Sequence, residues 1–187
     1  TPMWAVVSDV TFGTPAYLPV RRFPEDIDCV RASASLPTVS RIVELGGRRL
    51  LDGGTTDSIP YAAALGLPGA PEVEGRPPTD RALVVLTQDR GFVREMSGSG
   101  EQIALRSHRY DRYPYYLEAL RTRAERYNEQ RERLWELERE GRCLVVAPEE
   151  PVRVGSSTRD GESLLSLYVA GRRQTLERLA EIEAFVG

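Results

Sequence analysis

The residues with the clearest chemical potential lie together in the stretch Arg49-Leu-Leu-Asp-Gly-Gly-Thr-Thr-Asp-Ser-Ile-Pro60. Asp52 leaves an apolar run and meets two glycines at once, so its carboxylate is expected at a strand end, where the backbone can turn sharply and a second group can come close. A carboxylate so placed can take a proton as a general base or orient a nucleophile. Asp-Gly is also a common turn dipeptide, and the residues alone leave a turn-closing role for Asp52 in competition with the catalytic one.

Other chemistry is sparse. The single histidine, His108, excludes within this sequence any site that needs two histidines, and its polar setting, Arg106-Ser-His-Arg-Tyr-Asp111, gives no strand-turn-helix context for a Ser-His-Asp triad. Cys29 and Cys143 lie far apart without C-x-x-C spacing, which disfavours a disulfide framework and a zinc site, and Glu25, Asp26 and Asp28 near Cys29 disfavour a thiolate. No G-x-S-x-G occurs: Ser97-Gly-Ser-Gly100 and Gly155-Ser-Ser157 have the wrong spacing. No G-x-G-x-x-G or Walker pattern occurs either, so neither a metal nor a cofactor is expected.

The elements that must position Asp52 follow from periodicity. Trp4 to Val10 and Ala16 to Val20 predict a hairpin around Gly13-Thr-Pro15, and Asp26 to Leu36 a short helix stopped before Pro37. Val39 to Glu44 and Arg48 to Leu51 flank Leu45-Gly-Gly47 and predict a second hairpin, which delivers Asp52 at its end. A short helix follows from Pro60 to Gly66, with Asp57 or Ser58 able to cap it. Leu67 to Asp80, rich in Pro and Gly, predicts a surface loop, and Arg81 to Thr87 a strand buried on both faces. Gln88 to Tyr113 predicts a long loop. After Pro114 one long helix is expected, its apolar stripe of Leu117, Leu120, Ala124, Tyr127, Leu134 and Leu137 interrupted only by Arg131 and ended by Gly141. Tyr110 to Tyr116 should pack that helix onto the core. Cys143 to Ala147 is a further buried strand, and Asp160 caps a last helical region with a stripe through Leu164, Leu165, Tyr168, Leu176, Leu179, Ile182 and Phe185. Strands alternating with helices predict an α/β layered domain with an added antiparallel hairpin.

Composition narrows the class further. The 187 residues, 41% apolar and 28% charged, suit one globular domain over 1–187, and no apolar run reaches the roughly 20 residues that span a bilayer. All 25 basic residues are Arg, a pattern that GC-rich codon usage explains, and the absence of Lys removes Schiff-base chemistry. Against 28 acidic residues they leave a net charge of −3, so no nucleic-acid surface is expected. A cytoplasmic location is the expectation.

Ala32-Ser-Ala-Ser-Leu-Pro37, the hairpin, Leu51-Asp-Gly-Gly54 and Asp57-x-x-Pro60 together resemble the second half of a patatin-like phospholipase, more narrowly its bacterial YjjU-type branch. Leu86-Thr87 with Gly91-Phe92, Arg112-Tyr-Pro114, Arg126-Tyr-Asn128, Glu140-Gly141 and Leu167-Tyr168 with Gly171 are similar to the later part of that branch. The Pro68 to Thr79 stretch is longer than the family's usual connection.

The resemblance implies a three-layer α/β/α fold, here its C-terminal part, with a sheet core carrying the Asp-Gly-Gly motif in 1–87 and a helical region with one further strand in 88–187. It implies an acyl hydrolase acting on esters or lipids through a Ser-Asp dyad, with Asp52 as catalytic base and Gly53, Gly54 and Asp57 as support for the motif. The family's serine elbow and oxyanion loop precede the region matched here. With Thr1 in place of Met and the apolar run Met3 to Val7 beginning almost at once, the expectation is a longer parent, and no ester hydrolysis by these residues alone. Peripheral contact with lipid, and self-association through a surface left by a missing N-terminal segment, go with that expectation. The competing expectation is a non-catalytic α/β scaffold in which Asp52 only closes a turn.

Overall fold

Successive residues of a strand point to opposite faces, so the two fully buried neighbours Leu50 and Leu51 require a sheet covered on both sides. The computed structural model describes residues 2–95, 100–155 and 158–187. In it β1 (Met3–Asp9), β2 (Thr14–Val20), β3 (Val43–Leu45) and β4 (Arg48–Asp52) form an antiparallel sheet in the order β2-β1-β4-β3. Leu50 packs with Val7, Ala16 and Val43 against Ala32 of α1 (Ile27–Ser33). Leu51 packs on the opposite side with Val10, Ala104 of α3 (Gly100–Arg106) and Tyr116 and Leu120 of α4 (Pro114–Arg121). The result is helix, sheet and helix in layers, an α/β fold.

Two compact units divide the chain. The first comprises Thr1–Thr79 and Arg94–Glu132 and contains this sheet with α1, α3, α4 and α2 (Tyr61–Leu65). The second comprises Asp80–Val93 and Arg133–Gly187, with β5 (Ala82–Val85) parallel to β6 (Cys143–Val146) and the helices α6 (Gly161–Glu177) and α7 (Leu179–Val186). The helix α5 (Arg123–Arg139) begins in the first unit and ends in the second.

Both hairpins form as the turn residues require. Gly46 and Gly47 have φ of +58° and +75°, the left-handed pair that a two-residue hairpin turn demands. The second hairpin is shorter than expected: Val39 lies outside it, 79% exposed, and pairing starts at Val43. Asp160 caps α6 as expected, accepting from the Ser163 N–H at 3.1 Å.

Four expectations are corrected. The Gln88 to Tyr113 stretch contains α3, whose inward face is Glu101 and Ala104. A helix that buries a carboxylate shows no apolar stripe, which is why periodicity missed it. The helix after Pro114 is two helices, because the chain leaves helical geometry at Thr122, where φ is −92° and ψ 2° and the hydroxyl back-bonds to the Glu118 carbonyl at 2.9 Å. Arg131 does not interrupt the stripe of α5: it is buried, with its guanidinium over the Tyr127 ring. Finally β5 pairs in parallel but is not buried on both faces, since Val85 is 69% exposed, whereas β6 is buried along its length.

Three of the tyrosines behave as expected. Tyr110, Tyr113 and Tyr116 are buried in the core, with Tyr110 and Tyr116 edge to face at 5.1 Å, while Tyr115 is exposed. The apolar stripe of α6 and α7 is exposed at Leu164, Leu165, Tyr168, Leu176 and Leu179. Among the described residues no helix is long and apolar enough to cross a membrane.

Candidate active site

Asp52 is the last residue of β4, paired with Val7 of β1, and it caps the short 3-10 turn Gly53–Thr55. Its position is fixed from three directions. Its N–H donates to the Ser35 carbonyl at 2.9 Å, its carbonyl accepts from the Ser8 hydroxyl at 2.7 Å, and its Oδ1 accepts from the Gly54 N–H at 2.9 Å. Ser8 is fully buried and also meets the Thr56 hydroxyl at 2.8 Å, so the loop beyond the glycines is tied back to β1. Among the described residues no hydrogen bond reaches Oδ2.

The two glycines are required for different reasons. A Cβ on Gly53 would lie 2.3 Å from the Val6 carbonyl oxygen, an approach of backbone to backbone that no side chain permits. A Cβ on Gly54 would lie 2.9 Å from Asp52 Oδ1 and 3.0 Å from Arg123 Nη2. The carboxylate oxygen and the guanidinium thus both lie close to the one position that the missing Gly54 side chain leaves clear.

Burial pushes the Asp52 carboxyl above its ordinary value, while Arg123, the Gly54 N–H and Arg94 pull it back and Glu101 adds to the rise. Arg123 donates Nε to the Gly54 carbonyl at 2.6 Å and Nη1 to the Glu101 carboxylate, which also accepts from Arg94 Nη2 at 2.6 Å. Glu101 is buried, 4% exposed, and sits between the two guanidiniums. Burial pushes the Arg123 guanidinium below its ordinary value, and Arg94 adds to the fall. A half-buried carboxylate with a raised pKa, one oxygen held and the other open to a proton, has the properties of a general base.

Asp57 is not a helix cap. Pro60 starts α2 without a side-chain bond, and Ser58 donates instead to the Gly54 carbonyl at 2.7 Å. Asp57 accepts from the Tyr17 hydroxyl through Oδ2 and from Gln130 Nε2 at 2.7 Å through Oδ1. Its own N–H donates to the Gly53 carbonyl at 2.9 Å. Burial and this carboxylate push the Tyr17 hydroxyl far up, so it is a fixed donor. The structure therefore brings Asp52, Gly53, Gly54 and Asp57 into one turn, and joins that turn to β2 and α5.

The other candidates stay apart from it. Cys29 packs with Ala5 and Val20, Cys143 lies in β6, and burial pushes both thiols up. His108 pairs with Asp111 at 3.0 Å on an exposed turn. Ser97, Ser99, Ser156 and Ser157, in the two stretches with the wrong elbow spacing, lie outside the described residues. Among the described residues no group of three His, Cys, Asp or Glu side chains is placed to hold a metal ion.

Arg94, Glu101 and Arg123 were invisible to sequence reasoning. Each sits in a polar, charge-rich stretch that reads as solvated surface. A buried ion pair carries no periodic signal, and none of the three is near Asp52 in sequence.

No curated protein matches the chain. Residues 113–187 match a family model described as a domain of unknown function (DUF6363), which covers α4 to α7. Residues 24–65, the segment that carries α1, the β3–β4 hairpin, Asp52 and its two glycines, match the family model of the patatin-like phospholipases.

Proposed function

We propose that this chain carries the base half of a patatin-type Ser-Asp acyl hydrolase, with Asp52 as the base, and that it is the C-terminal part of a YjjU-type protein. The observation that supports this most is the position of Asp52: it leaves a buried strand inside the segment similar to the patatin-like phospholipases, with one carboxylate oxygen held by the Gly54 N–H and the other open. In this reading a serine hydroxyl attacks the ester carbonyl, and Asp52 takes its proton and returns it to the leaving alcohol. The acyl group stays on the serine. Water, deprotonated by Asp52, then releases the carboxylic acid. The sequence contains no G-x-S-x-G, so the serine comes from polypeptide outside these residues and the chain alone does not turn over esters.

The substrate class is a carboxylic ester, with lipid the natural candidate. The exposed Phe12 and Tyr115 support peripheral contact with lipid, and self-association through the surface left by a missing N-terminal segment goes with this reading. The bond from Gly54 to Asp52 Oδ1 also favours a second reading, in which Asp52 only closes the turn of a non-catalytic scaffold.

The test is hydrolysis of a short-chain p-nitrophenyl ester by the 187-residue chain and by a longer gene product that includes a G-x-S-x-G segment. Turnover by the longer protein alone, lost in Asp52→Asn, is the expected result. Turnover by the short chain that Asp52→Asn abolishes would overturn the split-site reading, and an inactive longer protein would favour the scaffold.

A further inference from the structure

We propose that Arg123 is the positioning residue for Asp52, and that Glu101 and Arg94 hold it there. The inference rests on the reading of Asp52 as the base. A guanidinium is a rigid planar fork, so fixing two of its donors fixes the third. In Arg123, Nε is on the Gly54 carbonyl at 2.6 Å and Nη1 is on buried Glu101. Nη2 is thereby held beside the same turn, 3.0 Å from where a Gly54 Cβ would stand, with Asp52 Oδ1 2.9 Å from that point.

The anchor is itself anchored. Glu101 takes a second guanidinium, Arg94, whose ring partner is Tyr127 at 5.7 Å. The Arg94 N–H donates to Asn128 Oδ1 at 2.9 Å, and Asn128 Nδ2 donates back to the Arg94 carbonyl at 3.1 Å. This closes a loop from α5 through Arg94 and Glu101 to the start of α5. Glu101 thus carries two guanidiniums, and both of them pull the Asp52 carboxyl down.

Among the described residues, the charged and titratable groups that bear on Asp52 are Arg123 from α5, Arg94 from the segment before α3, Glu101 from α3 and the Tyr116 hydroxyl from α4, which burial keeps protonated. The two cations oppose the burial and Glu101. Arg123 does two things at once: it keeps the carboxylate ionised in a half-buried place, and it holds the Gly53-Gly54 turn so that the Gly54 N–H stays on Oδ1. Oδ2 is then the oxygen that receives the proton.

The test is a pH titration of the Asp52 carboxyl carbon by NMR in the folded 187-residue chain, assigned with Asp52→Asn, together with hydrogen exchange of the Gly54 amide. Arg123→Gln is expected to raise the Asp52 midpoint by about one pH unit, a tenfold gain in proton affinity. It should also speed Gly54 exchange about tenfold. Arg123→Lys keeps the charge but loses the fork, and is expected to leave Gly54 exchange fast. Glu101→Gln keeps the guanidinium but loses its anchor, and is expected to speed Gly54 exchange as well. An unchanged midpoint in Arg123→Gln overturns the proposal, and so does full restoration of both readouts by Arg123→Lys, which would mean that charge alone matters. If Arg123→Gln does not fold, Arg123→Lys and Glu101→Gln decide it through Gly54. Neither readout involves ester hydrolysis, so a failure of Asp52 as base and a failure of Arg123 as its positioner are separate results.

Discussion

Arg123 donates Nε to the carbonyl of Gly54 at 2.6 Å, so the first residue of α5 is bonded to the turn behind Asp52 from 69 residues away in the chain. The turn that carries the acid is therefore not a local structure. It is held by β1 through Ser8, by β2 through Tyr17 and Asp57, and by α5 through Arg123 and Gln130.

Because Asn accepts the same capping bond, Asp52→Asn is expected to keep the fold. The melting temperature should stay within about 4 °C of the parent chain, a change of about 1 kcal/mol. In a longer protein that supplies the serine, ester turnover should fall about 10³-fold. A large drop in melting temperature would place the main role of Asp52 in the turn.

The same variant has a pH signature. Burial raises the folded-state pKa of Asp52 above its ordinary 3.8, so the folded chain holds this proton more tightly than the unfolded one. The wild type therefore gains stability as the pH falls through the raised value toward 3.8, and loses it again as the pH rises. Asp52→Asn lacks that dependence. Melting curves of the two should converge toward acid pH and separate toward neutral, with the variant the more stable at neutral pH.

Gly53 and Gly54 should differ in their response to a methyl group. Gly53→Ala drives a Cβ into the fixed Val6 backbone and is expected to cost about 3 kcal/mol in urea unfolding. Gly54→Ala meets side-chain atoms that can shift and is expected to cost about 1 kcal/mol. Its larger effect is on function, since it pushes Asp52 and Arg123 apart. Equal costs at the two positions would mean that β1 yields at Val6.

Removal of the Asp57 carboxylate leaves the Tyr17 hydroxyl and Gln130 Nε2 without their acceptor. Asp57→Ala is expected to cost about 2 kcal/mol, and Tyr17→Phe, which takes away a donor and leaves a carboxylate still bonded to Gln130, about 1 kcal/mol. Chemical denaturation of both variants checks the order.

The second unit has an acid-sensitive clamp of opposite sign. Glu138 accepts both Arg90 Nη1 and Nη2 at 2.7 Å and the Val145 N–H at 3.2 Å. The bonds from Arg90 hold its carboxyl below the ordinary 4.5. Its stabilising contribution is full above 4.5 and is lost as the pH falls through the folded value. Glu138→Gln should lower stability by about 1 kcal/mol at neutral pH and make no difference in strong acid, measured by urea unfolding across that range.

The sequence by itself determined the parts whose information is local. Gly46-Gly47 specifies its turn through backbone conformation, Asp160 specifies a helix start, and Asp-Gly-Gly specifies a carboxylate at a strand end. Each of these depends on sterics or hydrogen bonds within a few residues. Tertiary structure alone decided the environment of that carboxylate. Glu101 and Arg123 are polar residues in polar stretches, and only when α3 and α5 pack beside β4 does burial turn them into an ion pair that acts on Asp52. The same holds for Asp57, whose sequence suggested a cap and whose partners come from β2 and α5. Electrostatic coupling falls with distance in space and not along the chain, so spacing in the sequence carried no trace of it.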